Sequence, residues 1–433
     1  MGVKVAKFGG SSLADAARIE QAVAIIEADP DRRYVVASAP GKRSGDDEKI
    51  TDLLYRLYEQ RDDDHTATLS AIRRRFDEIS DELGVAVDLA SEFAEIERRL
   101  SDGEGVEYFA SRGEYLNSQL IAALLGWKLV DAAEVVRFAE TGEFLAGETD
   151  RLLTQALSGL ERAVVPGFYG ATGSGTVRTF TRGGSDVTGA LVAAAIGADV
   201  YENWTDVSGI LMADPRIVAA PRAIRQISYT ALRGLAYLGA SVLHENAINP
   251  VRQRSIPINI RNTGRPGDEG TWIQDSVPTP GPDQPAIIGL AAKTGYAALT
   301  IRKAQLSGAP GCSRLLGLFD EVGVGVELAL ASVDTWLVVV RTDQARLNEL
   351  TRTIGQAFHP DAVTVRDRLA LVGIVESGTA PRGNVVATAS AALAQAGIEV
   401  HLLDSGAGDM HIVAIDDASC PDAIRAIYQG FAQ

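Results

Sequence analysis

The sequence predicts a mostly parallel, three-layer α/β domain followed by two small α+β modules of the βαββαβ type. Three observations lead there. Short β-prone runs alternate with helical segments over residues 1–40 and 127–260, the pattern of a parallel sheet with helices on both faces. Two glycine-rich turns, Lys7-Phe8-Gly9-Gly10-Ser11-Ser12 and Thr181-Arg182-Gly183-Gly184-Ser185-Asp186, each join a strand-like run to a helix-like run. Beyond residue 284 the stretch 318–328 recurs 74 residues later as 392–402, and 337–340 matches 411–414 at the same offset. Each copy reads as strand, helix ending at glycine, strand, turn, strand, so two packed modules are expected.

Taken in order, the first strand covers Val3 to Ala6 and runs into the first glycine turn. A helix follows with Leu13, Ala16, Ala17, Val23 and Ile26 at helical spacing. The strand 34–38 ends in Ala39-Pro40-Gly41-Lys42-Arg43. A polar loop, Ser44 to Glu48, leads to a helix opening at Ile50-Thr51-Asp52. Residues 65–100 are charged and helical, and read as an exposed insertion with a solvated face. The helix 107–125 carries Ser111-Arg112-Gly113-Glu114 near its start. Further strands are expected near 128–131, 163–166, 177–180, 199–203 and 256–260. Helices are expected near 150–160, 185–196, 229–238 and 244–252. Residues 262–284 are rich in Gly and Pro and read as a linker. The expected domains are 1–275, 285–360 and 361–433.

Composition narrows the function. A chain of 433 residues with 46% hydrophobic content is an ordinary globular protein of about two to four domains. No apolar run approaches a membrane span, and no basic-then-apolar leader opens the chain, so a cytoplasmic location is expected. The net charge of −16 argues against nucleic-acid or anionic-membrane partners. Cys312 and Cys420 belong to no metal-ligand pattern and read as packing residues. Lysine is scarce: 7 residues against 34 arginines. A lysine inside the first glycine turn is therefore conspicuous.

Paired glycines let backbone amides approach a phosphate, and a following helix N-terminus favours negative charge. Neither turn is a P-loop or a dinucleotide fingerprint. One turn carries Lys7; the other carries Arg182 and Asp186. Together they suit a polyphosphate and a small acidic substrate.

The motifs KFGGSSLAD, VVASAPGKR, KITDLL, SRGEYLNSQL, TRGGSDVTGALVAAAIGA, WTDVSGILMADPR and GASVLHENAINP occur in this order over residues 7–250. In them the chain resembles aspartate kinases of the amino-acid kinase superfamily. Its C-terminal repeat resembles that family's paired ferredoxin-like ACT modules. The resemblance implies transfer of a phosphoryl group from ATP, with Mg²⁺, to the side-chain carboxylate of L-aspartate. The product would be 4-phospho-L-aspartate, the first step of aspartate-family amino-acid biosynthesis. It also implies a homodimer through the ACT modules and feedback by lysine or threonine. Two other readings are open: the same fold acting on another amino-acid carboxylate, and a non-catalytic amino-acid sensor.

Residue by residue, the resemblance implies that Lys7 and Asp186 are catalytic. Lys7 would carry charge for the phosphates, with the Gly9 and Gly10 amides, and Asp186 would orient Lys7 or the substrate amine. Thr51, Glu114, Arg182, Gly183, Gly184 and Ser185 match substrate-side positions, with Glu114 on the aspartate amino group. Lys7, Phe8, Gly9, Gly10, Thr205, Asp206, Leu211, Arg216, Ser241 and Val242 match nucleotide-side positions. Many family members have tyrosine where this chain has Leu211, and lysine where it has Ser241. An effector site would sit near Gly311, Ser313, Ser332 and Asp334. No protein ligand for a metal is assigned. A carboxylate nucleophile is already ionised at pH 7 and needs no general base. None of the five histidines falls in a glycine turn; His244, the nearest to these motifs, reads as a helix-start residue.

Overall fold

The structure, a computed structural model, describes residues 2–181, 183–239, 243, 245–275, 286–303, 309–377, 382–404 and 409–432. Contacts divide the chain into two units. One comprises residues 1–210, 223–232 and 241–277; the other comprises 211–222, 233–240 and 278–433.

In the first unit the strand Lys4–Phe8 lies inside an eight-stranded sheet. Arg32–Ala37 flanks it on one side and Val200–Thr205 on the other, both parallel. Ala163–Pro166 and Lys128–Leu129 extend the first side. Ile258–Asn262, Thr271–Gln274 and Gln226–Ser228 extend the second. Among the described residues of this sheet, only the pairing of Ile258–Asn262 with Thr271–Gln274 is antiparallel. Strand side chains alternate between faces. Ala6 and Phe8 enter a core shared with Phe109, Leu116 and Leu120 of the helix Val106–Leu125. Lys7 therefore points the other way, towards the helix Gly184–Ile196.

Three expectations change here. The segment 65–100 is not an exposed insertion. It forms the helices Thr66–Leu83 and Leu89–Ser101, whose Ile72, Phe76, Ile79, Phe93 and Ile96 join the same core. Charge density counted the outer faces and hid the apolar stripe. The strand Val177–Thr179 leaves the main sheet. It pairs antiparallel with Tyr169–Thr172, which also pairs Arg137–Phe138 in a three-stranded sheet. The four residues between the paired strands permit a hairpin but no parallel crossover. The stretch read as a linker contains the strand Thr271–Gln274.

The second unit is built on a six-stranded antiparallel sheet. Its order is Val326–Ala331, Thr335–Val340, Ile287–Arg302, Ala362–Glu376, Met410–Asp416, Leu402–Asp404. The two central strands are 16 and 15 residues long and paired along their length. Register breaks between Lys293 and Tyr296, beside Gly295 at φ 83°. In the facing strand Arg368 has φ 54°. On one side of this break 297–302 pair with 335–340; on the other 369–375 pair with 410–416. Each copy of the repeat thus borrows its last strand from the other's long strand. The helices Ala309–Glu321 and Gln344–Phe358 cover the first copy, where Leu315, Phe319, Leu350 and Ile354 pack on Leu299, Trp336 and Val338. The same unit takes in two earlier segments. Met212 O accepts from Leu290 N at 2.7 Å, and Tyr428 OH accepts from Arg222 N at 2.9 Å.

Candidate active site

The first unit holds a cavity of about 820 Å³. Gly10, Thr51, Glu114, Thr205 and Asp206 line it together. These residues lie up to 196 positions apart in sequence (Gly10 to Asp206) and come from both expected sides, acceptor and nucleotide. The carboxyl ends of the parallel strands Arg32–Ala37 and Val200–Thr205 open onto it, where α/β sheets place ligands.

Lys7 is 7% exposed and sits at the centre of a polar trio. Its Nζ is 2.5 Å from Asp186 Oδ1 and donates to Asn203 Oδ1 at 3.4 Å. Asn203 Nδ2 in turn donates to the same Asp186 oxygen at 3.0 Å. Lys7 and Asn203 are register partners on adjacent strands. Asp186 stands in the first turn of Gly184–Ile196, which Gly183 caps at φ 57°. Tyr201 OH donates to the Asp186 carbonyl at 3.0 Å and fixes that turn against the strand. Asn203 was missed by the sequence reading. Its signal was a polar residue in the buried strand Val200–Thr205.

Glu114 is 5% exposed in the helix Val106–Leu125, and its Oε2 has no partner among the described residues. Burial pushes its carboxyl up to about 8, against the opposing pull of the Ala39 amide and the Arg112 guanidinium. A buried carboxylate with an unpartnered oxygen, facing a cavity, is matched to a cationic ligand group. Gly113 lets this helix press on the loop after Arg32–Ala37, because a Cβ there would lie 2.7 Å from Ala39 Cβ. Asn117, one helical turn on, donates to the Ser38 carbonyl at 2.7 Å and fastens the same loop.

The first glycine turn is held by a second close approach. A Cβ on Gly41 would lie 2.6 Å from both C and O of Gly10. Gly41→Ala is therefore expected to displace Gly10. The affinity for ATP should fall tenfold or more, on the order of 1.4 kcal/mol, while circular dichroism stays at wild type.

Other expected residues are placed differently. The Gly9 amide donates to Trp204 O at 3.0 Å, so it is engaged within the sheet rather than offered to a phosphate. Gly10 and Ser11 begin a short 3-10 turn, whose first amides have no partner within the turn. The Phe8 ring is buried and stacks on Trp204, leaving only its backbone for a ligand. Ser185 is buried against Gly167. Leu211 and Arg216 fall in the second unit, where Arg216 is 88% exposed at its side chain and paired with Asp214. Arg182, Ser241, Val242 and His244 lie outside the described residues. Ser12 and Thr263, unforeseen, share a hydrogen bond of 2.6 Å, and both line the cavity. In the second unit, Ser332 and Asp334 form the turn between Val326–Ala331 and Thr335–Val340, and Gly311 and Ser313 lie near the start of Ala309–Glu321. Lys303 N donates to Asp334 O at 2.8 Å, tying that turn to the strand that leads to the helix.

The model of the amino acid kinase family matches residues 2–262. Aspartokinase 3 of Bacillus subtilis is 33% identical over 460 aligned positions, covering 99% of this chain and 98% of that protein. This chain belongs to the aspartate kinases of the amino acid kinase family. The aspartate kinase of Clostridium acetobutylicum, described as an allosteric enzyme, superimposes with a TM-score of 0.88 at 36% identity over 100% of both chains. Aspartokinase III of Escherichia coli shares the fold over 100% of both chains. Solved with aspartate and ADP, it gives a TM-score of 0.74 at 24% identity; solved with lysine and aspartate, 0.72 at 23%. Lys7, Glu114, Asp186 and Asn203 all lie within the residues that the family model matches. No helix among the described residues is long and apolar enough to cross a membrane.

Proposed function

We propose that this aspartate kinase works by positioning and charge compensation alone, with both substrates in the cavity described in its first unit. The observation that carries this is the convergence of Gly10, Thr51, Glu114, Thr205 and Asp206 on that cavity. Glu114 receives the ammonium of aspartate, and Thr51 and residues 182–185 receive its carboxylates. Thr205 and Asp206 take the adenosine side. Lys7, held by Asp186 and Asn203, meets the phosphates of ATP. The ionised side-chain carboxylate attacks Pγ directly, so no residue has to remove a proton. Among the described residues no cluster of three or more acidic, His or Cys side chains is placed to hold a metal. Mg²⁺ would arrive on the phosphate oxygens and supply charge there.

The second unit supports a regulatory reading. Its interleaved repeats act as paired ACT modules, one from residues 296–368 and the other from 287–293 with 369–432. Lysine or threonine is the effector class, and a homodimer forms through the modules. Coupling is carried by covalent continuity, because segments 211–222 and 233–240 of the kinase sequence fold with this unit.

The test is ATP turnover with a panel of acceptors, trapping the acyl phosphate with hydroxylamine. Hydroxamate is expected from L-aspartate and not from L-glutamate, with inhibition by lysine or threonine. Hydroxamate from another acceptor alone would replace aspartate as the substrate.

A further inference from the structure

We propose that Lys42 is a second cation for the transferring phosphoryl group, presented by a clamp of two arginines. The inference deepens the kinase reading above and rests on it.

The backbone around Lys42 is held from two directions. Arg75, only 4% exposed, donates from Nη2 to Gly41 O at 2.8 Å and to Ala14 O at 2.9 Å, and from Nη1 to Asp47 at 2.8 Å. Arg18 donates to Lys42 O at 3.0 Å and to Arg43 O at 3.2 Å. Gly41 N donates to Gly10 O at 2.8 Å. The loop thus has a direction. At Ala39 its amide bonds Glu114, on the acceptor side. At Gly41 it touches the first glycine turn, on the phosphate side. Lys42 follows at that end and lines the cavity.

Charge accounting singles out the same residue. Arg18, Lys42, Arg43 and Lys49 are the cations lining the cavity. Arg18 is engaged with three carbonyls and Asp15, and Arg43 with Asp47 and Glu78. Among the described residues Lys42 and Lys49 have no carboxylate partner. Lys49 precedes the helix Ile50–Glu59 beside Thr51, on the acceptor side. Lys42 alone combines a free ammonium with a backbone fixed next to Gly10. In a chain with 7 lysines and 34 arginines, two lysines, Lys42 and Lys49, line this one cavity. A compact ammonium on a flexible stem can follow a moving phosphoryl group as a guanidinium fork cannot.

The chemistry balances without a proton. An aspartate side-chain oxygen forms the new bond to Pγ, the bond from Pγ to the bridging oxygen breaks, and its electron pair leaves with ADP. Lys42 offsets charge on the equatorial oxygens of Pγ during that exchange and gives up nothing.

The experiment compares steady-state kinetics of wild type, Lys42→Met, Lys42→Arg, Arg75→Met and Lys42→Met/Arg75→Met, with hydroxamate as product. Lys128→Met, on the edge strand of the sheet, controls for lost charge alone. Lys42→Met is expected to lower kcat about 100-fold with both KM values within about threefold. Lys42→Arg should recover part of that loss, and Lys128→Met should match wild type. Arg75 is a positioning residue, so the double variant should be no slower than the slower single variant. A kcat for Lys42→Met within threefold of wild type, a loss expressed only in KM, or additive loss in the double variant would overturn the proposal while leaving the kinase reading intact. Absence of aspartate-dependent turnover in the wild type would overturn both.

Discussion

Lys7→Ala is expected to lower kcat by about 10²–10³-fold or more, the cost of deleting a preorganised charge at a developing oxyanion. Two features make the effect large. Lys7 is almost fully buried, so water cannot replace its ammonium at the phosphates. Its removal also leaves Asp186 with only Asn203 beside the anionic substrates. Asp186→Asn should cost less. The asparagine keeps a side-chain oxygen for Asn203 Nδ2, and Lys7 remains charged. Lys7→Arg should not restore wild-type activity, because a planar fork does not fit the space between Asp186 and Asn203. Hydroxamate formation at saturating ATP and aspartate checks all three. Equal activity in Lys7→Ala and wild type would remove Lys7 from the chemistry.

Glu114→Gln is expected to raise KM for aspartate by about 10²-fold or more, since a charge-assisted contact and a desolvated carboxylate are lost together. The pH dependence is more specific. With its carboxyl near 8, Glu114 is largely protonated in the free enzyme at neutral pH. An ammonium ligand needs it ionised, so kcat/KM for aspartate should fall as pH drops below 8, approaching tenfold per unit. Glu114→Gln should flatten that limb. Stability should move the opposite way. The folded pKa lies above the ordinary value of 4.5, so the native state holds this proton more tightly than the unfolded chain. The penalty is absent below about pH 4.5, grows through the interval to 8, and is full above it. Glu114→Gln removes it. The unliganded variant should gain on the order of 3–5 kcal/mol at pH 9 and much less at pH 5. Denaturant titrations at the two pH values check this. A variant that is uniformly less stable would contradict a carboxylate penalised by its burial.

Much of the candidate site can be proposed from sequence because its local signals are strong. A lysine or aspartate beside paired glycines, between a strand and a helix, can be placed without tertiary information. Asn203 could not. Its role comes from lying opposite Lys7 in a parallel register that only long-range pairing sets. Arg75 was hidden for a related reason. It stands in the run Arg73-Arg74-Arg75, whose charge reads as solvated, yet only its position in the helix turns it inward to the Gly41 loop. The Gly9 amide misled because a glycine pair announces close approach without saying which amide the sheet already uses. In the C-terminal unit the 74-residue repeat was visible, but the exchange of strands between copies was not. Residues 287–302 carry strand character throughout, and the break at Gly295 becomes a boundary only when two different partners pair on its two sides.

The central claim is that one cavity holds both substrates, with Lys7 at the phosphates and Glu114 at the amino group of aspartate. A crystal structure of the complex with ADP and L-aspartate tests it most directly. The expected result places Lys7 Nζ and the Glu114 carboxylate within about 3 Å of a phosphate oxygen and of the aspartate ammonium respectively. Aspartate bound outside the cavity, or bound within it with its ammonium turned away from Glu114, would contradict the account.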